Sequence, residues 1–478
     1  MSSIDYSGHS SCHLSSPCQP LWLVEICGRR RSAAALQLGN FYSDNETIPP
    51  STRNIRQQRR ATPDDVLQLI SHLECVQIDP VAAVARNQHL VLGARLPGYQ
   101  PELLNQLLEQ HQVFEYIANA ACVLPMVDYP LIQGIRRRFE AALAAEISKY
   151  QEVAAEVLRR LSREGALPAS AFETNDKVHG YWDNQAPKTK ATSHVLNLLN
   201  DTGTIRVVKR DGNTRFFDLA EYTIPQSIWQ DAKGIETHDA ERLLMEKYMR
   251  AYRIFDLSDS RFGWARWKAA ERKAALSPYL SRGAVIPLAI EGCKTEYYIL
   301  AEDVDELCAI ERKMLLGQER SVTVPRKATS VTVAGRDIRF LPPLDNLLWR
   351  RGRVLDLFSF DYKWEIYTPV EKRTYGYYTM PILAGDRLIG RIDPKLDRTR
   401  GVLEIQSIYL EPAVRPTKLL AEALETGLRR FARLHGAKDI DTDVTTGTAT
   451  DITTGVTTGT ATDTTTGAAI DISAMRKR

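Results

Sequence analysis

The sequence predicts an α+β protein in which tandem winged-helix domains are followed by a β-rich, barrel-like C-terminal domain. Three features of the chain lead to this prediction. The first third carries helical periods, a helix and hairpin pattern occurs twice in the middle, and short strands separated by turn residues dominate after Val322. The chain has 478 residues, which at roughly 100 to 200 residues per domain allows several separate cores.

Helices are predicted throughout the first third of the chain. Residues 1–27 lack a hydrophobic period and are expected to be disordered. A Thr-Pro pair and an Asp-Pro pair each suit a helix start, because Thr and Asp cap a first turn and Pro fits within it. The predicted helices span 29–41, a segment from Thr62, a segment from Pro80 to Arg86, 101–123 and 129–163. Residues 28–163 are therefore the first predicted winged-helix-like domain.

The middle of the chain contains two units of helices followed by a hairpin. The helix SHVLNLLN precedes the strands TIRVVKR and TRFFDL, and the Asp-Gly-Asn turn between them is a strong hairpin signal. This pattern predicts a second winged helix over residues 164–230. Predicted helices at His238–Tyr252, Arg261–Lys268 and Glu271–Tyr279, followed by the strands AVIPLAIEG and TEYYILAE, indicate a third winged-helix-like domain over residues 231–321.

The C-terminal part is predicted to be a β-domain with a final helix, over residues 322–438. Its strands are SVTVAG, IRFLPPL, KWEIYTP, TYGYYTMPILAG, RLIGRID and VLEIQSIYLEP. An amphipathic helix spans Lys418–Leu434, with Gly427 as its weakest position. Residues 439–478 form a Thr/Gly/Asp low-complexity tail with almost no large apolar residues, so this tail cannot build a core alone.

Composition is that of an ordinary globular protein, with 44% hydrophobic residues and Lys+Arg 62 against Asp+Glu 59. The formal charge of +3 does not by itself indicate a polyanionic partner. Seven cysteines without any CxxC pair argue against a disulfide framework or a zinc site and favour a reducing cytoplasm. No run of 18 apolar residues occurs, so no membrane span is expected.

Common catalytic motifs are absent from the sequence. It contains no GxSxG, GxxxxGK[ST], HExxH or GxGxxG motif, which argues against hydrolases of the elbow type, P-loop enzymes, zinc proteases and dinucleotide-binding enzymes. The nine histidines are scattered, so their spacing predicts no metal site. Neither a metal nor a cofactor is expected.

The segment Gln77-Ile78-Asp79 has the groups needed for one kind of chemistry. In an extended segment, side chains two residues apart point to the same side, so the Gln77 amide and the Asp79 carboxylate can converge on a water molecule. An amide that orients water and a carboxylate that activates it can cleave a glycosidic bond through an oxocarbenium-like state. From spacing alone, an N-cap role for Asp79 before Pro80 is favoured over this catalytic role.

Three longer runs resemble a known family. They are VQIDPVAAVARNQHLVLGARL from Val76, FEYIANAACVLP from Phe114, and the long run from Leu341 (LPPLDNLLWRRGRVLDLF) to Leu403. These runs resemble the bacterial winged-helix DNA glycosylases AlkZ and AlkX, the latter also called YcaQ, and the similarity extends from Ala61 to Pro412. The family motif is Gln, an apolar residue, then Gln or Asp. The resemblance therefore implies that Gln77 and Asp79 are catalytic, in the Asp version typical of AlkX.

The resemblance implies a C-shaped enzyme that removes alkylated bases and unhooks interstrand crosslinks. An N7-alkylguanine carries positive charge and leaves readily, so a lone carboxylate suffices, and a monofunctional enzyme that leaves an abasic site is expected. The expected partner is double-stranded DNA with alkylated or crosslinked bases, bound by a monomer in the cytoplasm or nucleoid, without a membrane or a nucleotide cofactor. A non-catalytic winged-helix regulator and a degenerate damage binder are the alternatives.

Basic residues are expected to hold DNA through its phosphates, although each of them alone fits a solvated surface position better. The candidates are Arg86, Arg95, Lys188, Lys190, Lys372 and Arg373. Aromatic residues of the β-domain are expected in its core or in strand pairs rather than stacked on bases; these are Trp349, Trp364, Tyr375, Tyr377 and Tyr378.

Four positions depart from the family pattern. Ile117 and Asn119 stand where family members often carry Trp and His, and Leu344 and Arg350 stand where Phe and Asp are common. Loss of the His is expected to reduce activity if that residue contacts the motif or a phosphate, although Asn119 can still donate and accept hydrogen bonds. Both ends of the chain also lie outside the resemblance.

Overall fold

A computed structural model of the chain describes residues 26–28, 30–39, 60–172, 176–179, 189–319 and 337–442. The α-helices are α1 Arg30–Gln37, α2 Pro63–His72, α3 Asn87–Arg95, α4 Pro101–Glu109, α5 Gln133–Lys149, α6 Gln151–Glu164, α7 Ala191–Asp201, α8 Ala220–Thr223, α9 Gln226–Gly234, α10 Thr237–Tyr252, α11 Ala269–Ser281, α12 Val304–Glu319, α13 Arg351–Phe358 and α14 Lys418–Leu434. Short 3-10 helices lie at Met126–Ile132, Ala169–Phe172, Phe262–Trp264, Ala301–Asp303, Asn346–Leu348 and Val370–Lys372. In the described ranges, no helix is both long and apolar enough to cross a membrane.

The strands form four sheets and one small two-stranded ribbon in the described part of the chain. The strands are β1 Ile26–Gly28, β2 Val76–Gln77, β3 Val113–Ile117, β4 Ala121–Pro125, β5 Leu167–Pro168, β6 Lys177–Val178, β7 Thr189–Lys190, β8 Ile205–Asp211, β9 Thr214–Leu219, β10 Ile254–Phe255, β11 Val285–Ile290, β12 Tyr297–Leu300, β13 Ile338–Phe340, β14 Met380–Ala384, β15 Arg387–Asp397, β16 Val402–Leu410 and β17 Asp439–Asp441. The sheet orders are β2-β4-β3, β5-β9-β8, β1-β11-β12-β10 and β13-β14-β15-β16-β17. Mixed helix and strand content is thus confirmed.

The first sheet, β2-β4-β3, packs with α2 and α4 around one apolar core. Helix α2 begins as predicted, because the Thr62 hydroxyl accepts the Asp65 backbone N–H and the Asp65 carboxylate accepts the Thr62 backbone N–H. The helix expected over 101–123 is wrong beyond Glu109, since residues 113–125 form the antiparallel hairpin β3–β4. The β-branched and aromatic residues of VFEYI favour a strand there.

The segment after Asp79 is not helical. The helix expected from Pro80 to Arg86 is wrong, because α3 begins only at Asn87. Val81, Ala83 and Val84 instead pack against the core of the C-terminal sheet, and the Ala83 carbonyl accepts the Leu396 backbone N–H at 2.8 Å. These contacts with a distant part of the chain outweigh the local Asp-Pro signal for a helix start.

The second sheet, β5-β9-β8, packs against α6 and α7. The predicted helix SHVLNLLN lies within α7, and the predicted hairpin is β8–β9, in which Asp211 faces Thr214. The helix expected over 129–163 begins as a 3-10 turn and is divided between α5 and α6 at Tyr150. The local signals for the helix and the turn are therefore confirmed in this unit.

The third sheet, β1-β11-β12-β10, includes the predicted hairpin as β11–β12. Strand β1 pairs in parallel with β11, and α1 packs against α12 and α13. Residues 26–39 thus lie with the third unit rather than the first, because the apolar side chains of α1 are buried in the core that contains Leu288 and Ile299. The helix expected over 261–268 is wrong: Trp264 and Arg266 have φ of 52° and 54°, which no α-helix accommodates.

The C-terminal sheet, β13-β14-β15-β16-β17, is a half-barrel with α14 across it. Helix α14 spans Lys418–Leu434 as predicted. Gly427 allows this helix to approach the sheet, since an added Cβ would lie 2.9 Å from the Ile338 Cβ. The expected strand KWEIYTP is wrong, as residues 363–369 form a loop. The expected strand SVTVAG, the N-terminal residues 1–25 and the tail from residue 443 lie outside the described residues.

A buried ion pair joins α3 to the segment before α13. The Arg95 guanidinium donates from Nη1 to Asp345 Oδ2 at 2.7 Å and from Nη2 to Asp345 Oδ1 at 2.8 Å. Their side chains are 2% and 0% exposed, respectively. The DNA contact expected of Arg95 is therefore wrong, because burial under the protein surface separates its guanidinium from any phosphate.

We expect Arg95→Met to lower the free energy of unfolding by about 3 to 5 kcal/mol, because it leaves the Asp345 carboxylate buried without its countercharge. The midpoint of thermal or urea unfolding measures this loss. Arg429→Met is the matched control, because it removes an exposed pair with Glu425 and should change the midpoint little. Equal effects of the two substitutions would contradict a structural role for the buried pair.

Candidate active site

Gln77 is the last residue of the short strand β2, where its main chain is held from both sides. It pairs with Cys122 of β4, and the next backbone N–H, that of Ile78, donates to the Ala121 carbonyl at 2.8 Å. The Gln77 carbonyl accepts the Asn87 side-chain amide at 2.8 Å. Ile78 packs on the apolar core beside β2. Because the chain is extended here, residues 77 and 79 lie on the side away from this core.

Asp79 is half-buried at the end of this extended segment. Its Oδ1 accepts the Val81 backbone N–H at 2.9 Å, which closes a turn rather than capping a helix. The N-cap interpretation is therefore replaced by a turn that uses one lone pair of the carboxylate. Burial raises the pKa of Asp79 above the ordinary value, and the hydrogen bond from Val81 only partly opposes that shift.

Asn119, in the turn between β3 and β4, determines how the Gln77 amide is oriented. Its Oδ1 accepts from Arg261 Nη1 at 3.2 Å and from the Tyr252 hydroxyl at 3.3 Å. Its Nδ2 donates to Gln77 Oε1 at 3.0 Å. A guanidinium has only donors, so the atom of Asn119 that faces Arg261 must be oxygen and the atom that faces Gln77 must be nitrogen. Gln77 consequently accepts with its oxygen and has its Nε2 donors available for another partner.

The motif therefore combines a donor and an acceptor. Gln77 offers N–H groups, and Asp79 offers carboxylate lone pairs beyond the one that Val81 uses. A water molecule needs both, because it can accept from an amide and donate to a carboxylate while one lone pair stays free to attack. This arrangement can activate water next to an electron-poor carbon.

The expected DNA contacts occupy different environments. Arg86 is half-buried and its Nη2 donates to Asn213 Oδ1, which brings the turn of the β8–β9 hairpin next to the motif segment. Lys190 and Lys372 are exposed. Arg373 is half-buried, with its Nε 2.8 Å from the Thr368 carbonyl and its guanidinium 5.1 Å from the centre of the Tyr377 ring. Lys188 lies outside the described residues.

The aromatic residues of the β-domain divide into two groups. Trp349, Trp364 and Tyr375 are partly buried and Tyr378 is fully buried, in agreement with a core role. Tyr377, however, is 42% exposed, and Tyr367, which sequence analysis did not select, is 90% exposed. The core or strand-pair role expected of Tyr377 is therefore wrong, because much of the residue is exposed to solvent and it lies before β14 begins.

The departures from the family pattern have structural partners. Arg350 donates to both oxygens of Asp256, each at 2.9 Å, and this contact raises the pKa of Arg350. Leu344 contributes only its backbone, which exchanges two hydrogen bonds with the Asn87 side chain at 3.3 and 3.4 Å. Ile117 packs against the largest core cluster. Asn119 contacts the motif directly, at the place where the sequence suggested that a lost His would matter.

Sequence reasoning missed Tyr252, Arg261 and Asn87 as parts of this site. Tyr252 and Arg261 are 133 and 142 residues from Asn119 along the chain, so no local spacing links them to the motif. Asn87 begins α3 inside the run that resembles the family, and its side chain joins Gln77 to Leu344. Only the resemblance could have pointed to Asn87 from the sequence.

Two comparisons with known proteins identify the family of the chain and the fold that it resembles. Residues 70–434 match the family model described as DNA glycosylase AlkZ-like. Among solved structures, the DNA glycosylase AlkZ of Streptomyces sahachiroi is similar, with a TM-score of 0.51 and 14% sequence identity. The match covers 87% of this chain and 99% of that chain. At this identity, the structural likeness concerns the fold.

We expect Asn119→Asp to turn the Gln77 amide around. The new carboxylate can only accept, so Gln77 must direct Nε2 toward it and present Oε1 to the site. Hydrogen exchange of the Gln77 side-chain NH₂, followed by NMR with labelled glutamine, should become about tenfold slower or more, because a charged acceptor then holds one N–H.

Asn119→His is the matched control for this experiment. A neutral imidazole has a donor nitrogen and an acceptor nitrogen, which can take the places of Asn119 Nδ2 and Oδ1, so the Gln77 NH₂ should exchange as in the parent chain at neutral pH. Unchanged exchange in Asn119→Asp would contradict the fixed orientation of Gln77.

Proposed function

The chain belongs to the AlkZ-like DNA glycosylase family, and from this premise we propose that it hydrolyses the N-glycosidic bond of alkylated purines, of the N7-alkylguanine type, and unhooks DNA interstrand crosslinks. DNA glycosylase activity and a DNA substrate follow from membership of the family. The observation that carries the finer proposal is the Gln77 amide, whose orientation Asn119 fixes, in an extended segment two residues before the half-buried carboxylate of Asp79.

In the proposed reaction, Asp79 and Gln77 act on the sugar side of the glycosidic bond. The bond between C1′ and N9 breaks with its electron pair going to the purine, whose positive charge is thereby neutralised. The Asp79 carboxylate stabilises the sugar cation and takes a proton from the attacking water, while Gln77 Nε2 holds the oxygen of that water. No amine nucleophile is needed, so the product is an abasic site in an uncut strand.

The motif is proposed to be the Asp version typical of AlkX, within tandem winged helices. Support for the winged helices comes from α7 followed by the β8–β9 hairpin, and from α11 followed by the β11–β12 hairpin. The proposed units are 60–163, 164–230, 231–321 together with 26–39, and 337–438.

Double-stranded DNA with alkylated or crosslinked bases is the proposed partner of a monomeric enzyme in the cytoplasm or nucleoid. Arg86, Lys190, Lys372 and Arg373 are proposed to contact phosphates, and Lys188 precedes the helix that would lie near them. Phosphate contacts of this kind make binding indifferent to sequence and sensitive to salt. An open cleft suits crosslinked bases, because a crosslink ties the lesion to the other strand and prevents free rotation into a deep pocket.

Asp79→Asn should slow single-turnover release of base from an N7-methylguanine duplex by roughly 10²- to 10⁴-fold, because the amide can neither take a proton nor balance the sugar cation. Alkali-dependent strand breaks and unhooking of a mustard crosslink measure the two activities. Asp397→Asn is the matched control, because Asp397, the last residue of β15, is also half-buried and also accepts backbone N–H groups in a turn, but it lies outside the motif segment. Its activity should equal that of the parent chain.

Two outcomes of this experiment would contradict the proposal. Equal release by the parent chain and Asp79→Asn would remove Asp79 from the reaction. Tight binding of the lesion without any release by the parent chain would favour a degenerate family member that only binds damage. Thermal midpoints of both variants establish that each is folded.

Activity should fall with acid at a higher pH than for an ordinary aspartate. Burial raises the pKa of Asp79, so its carboxylate protonates earlier as the pH falls, and the protonated form cannot accept the water proton. Single-turnover rates across the acidic range, corrected for spontaneous depurination, give this profile. An activity that is constant down to the ordinary pKa of aspartate would contradict the assignment.

A further inference from the structure

The loop between α13 and β14 ends in an exposed apolar tip. We call residues 362–379 the aromatic loop, and Tyr367, Pro369 and Val370 its tip. Tyr367 is 90% exposed and Val370 is 73% exposed, while Pro369 between them is also exposed. Large apolar side chains clustered in this way at the end of a loop are characteristic of contact with a partner rather than of a solvated turn.

Two buried carboxylates hold the aromatic loop in one conformation. Glu365 accepts the backbone N–H groups of Thr374 and Tyr375 at 3.0 and 2.7 Å. Asp393 accepts those of Tyr377 and Tyr378 at 2.8 and 2.9 Å. Gly376, at φ 131°, passes so close that an added Cβ would overlap with Asp393 Oδ2. These hydrogen bonds give the loop that carries the tip a defined position, which a residue that contacts a partner needs.

The aromatic loop extends from the core that the motif segment also joins. Trp364 packs on the cluster that contains Val81 and Val84, the residues that follow Asp79. The Trp364 ring lies 5.9 Å from the Tyr378 ring and 6.4 Å from the Tyr367 ring, centre to centre. The negative charge of Asp79 adds to burial in raising the pKa of the Tyr378 hydroxyl. The tip is therefore linked to the proposed catalytic carboxylate through the packed rings of Trp364 and Tyr378.

The charges around the tip favour a polyanion. Lys363 and Lys372 are exposed, and the Arg373 guanidinium lies over the half-exposed Tyr377 ring. Glu371 is the exposed acid among them, so cations exceed acids along residues 363–373. An apolar tip between cations matches the base stack and the phosphates of a duplex, which lie side by side.

We propose that the tip of the aromatic loop is a wedge that enters duplex DNA next to the lesion, with Tyr367 and Val370 against unstacked base pairs and with Lys372 and Arg373 on the flanking phosphates. This inference rests on the proposed function for the location of the lesion at Asp79. Apolar wedges that separate base steps are an established means of opening a duplex. A wedge would give Asp79 access to C1′ of a crosslinked nucleotide that cannot be flipped out.

The test is the double variant Tyr367→Ser/Val370→Ser on two substrates. On an N7-methylguanine duplex, single-turnover base release should fall about tenfold to a hundredfold, because the protein no longer supplies the unstacking. On the same strand with the lesion in an unpaired bubble, the rate should return to that of the parent chain. Fluorescence of 2-aminopurine next to the lesion should rise with the parent chain and stay low with the variant.

Tyr222→Ser is the matched control, because it removes a tyrosine that is 63% exposed on α8, which is not part of the aromatic loop, and should leave all three measurements unchanged. Equal slowing on duplex and bubble, or no slowing on either, would overturn the wedge. If sedimentation shows a dimer for the parent chain and a monomer for the double variant, the tip contacts a second copy of the chain instead of DNA. Absence of base release by the parent chain on both substrates would refute the proposed function. The 2-aminopurine fluorescence would still test the wedge, because it reports unstacking without requiring base release.

Discussion

The site depends on the contact between a two-residue strand and a segment that lies more than two hundred residues later in the chain. Strand β2 is too short to hold Gln77 alone. Asn346 Nδ2 donates to the carbonyls of Leu73 and Cys75 at 3.1 and 2.8 Å, just before this strand, and Asn87 joins Gln77 to Leu344 just after it. The buried Arg95–Asp345 pair fixes the same segment to α3. Because a buried charge without its partner is costly, this pair ties the N-terminal and C-terminal units into one arrangement.

Arg261 determines which atom of the Gln77 amide faces Asn119 and which is left to face the site. Arg261 can only donate, so Asn119 must direct its oxygen toward Arg261 and its nitrogen toward Gln77. Gln77 must then accept with its oxygen. The same logic explains why Asn can stand where family members often carry His. Each side chain has a donor nitrogen at one position and an acceptor atom at another, although only His changes this pattern near neutral pH. The departure at Asn119 therefore preserves the hydrogen-bonding pattern while removing a titratable group from the site.

Parts of the fold could be predicted because their signals are local. The capping box at Thr62, the Asp-Gly-Asn turn of β8–β9 and the amphipathic period of α14 each depend on residues within a few positions of one another. The wrong predictions concern segments whose structure depends on distant parts of the chain. Residues 80–86 follow the surface of a distant sheet, and residues 26–39 pack on a unit that begins two hundred residues later. Gln77 and Asp79 could be selected from spacing and resemblance, whereas Arg261 and Tyr252 reach the site only through the tertiary fold.

The raised pKa of Asp79 bears on which bases the proposed reaction favours. Burial makes the ionised carboxylate less stable than in water, so a positive charge brought next to it is worth more than at an exposed position. An N7-alkylguanine supplies that charge in the ground state, and a sugar cation supplies it as the bond breaks. A neutral purine supplies it only late in the reaction and leaves Asp79 without a partner until then. Selectivity for cationic lesions can thus follow from the environment of a single carboxylate, without a pocket that encloses the base.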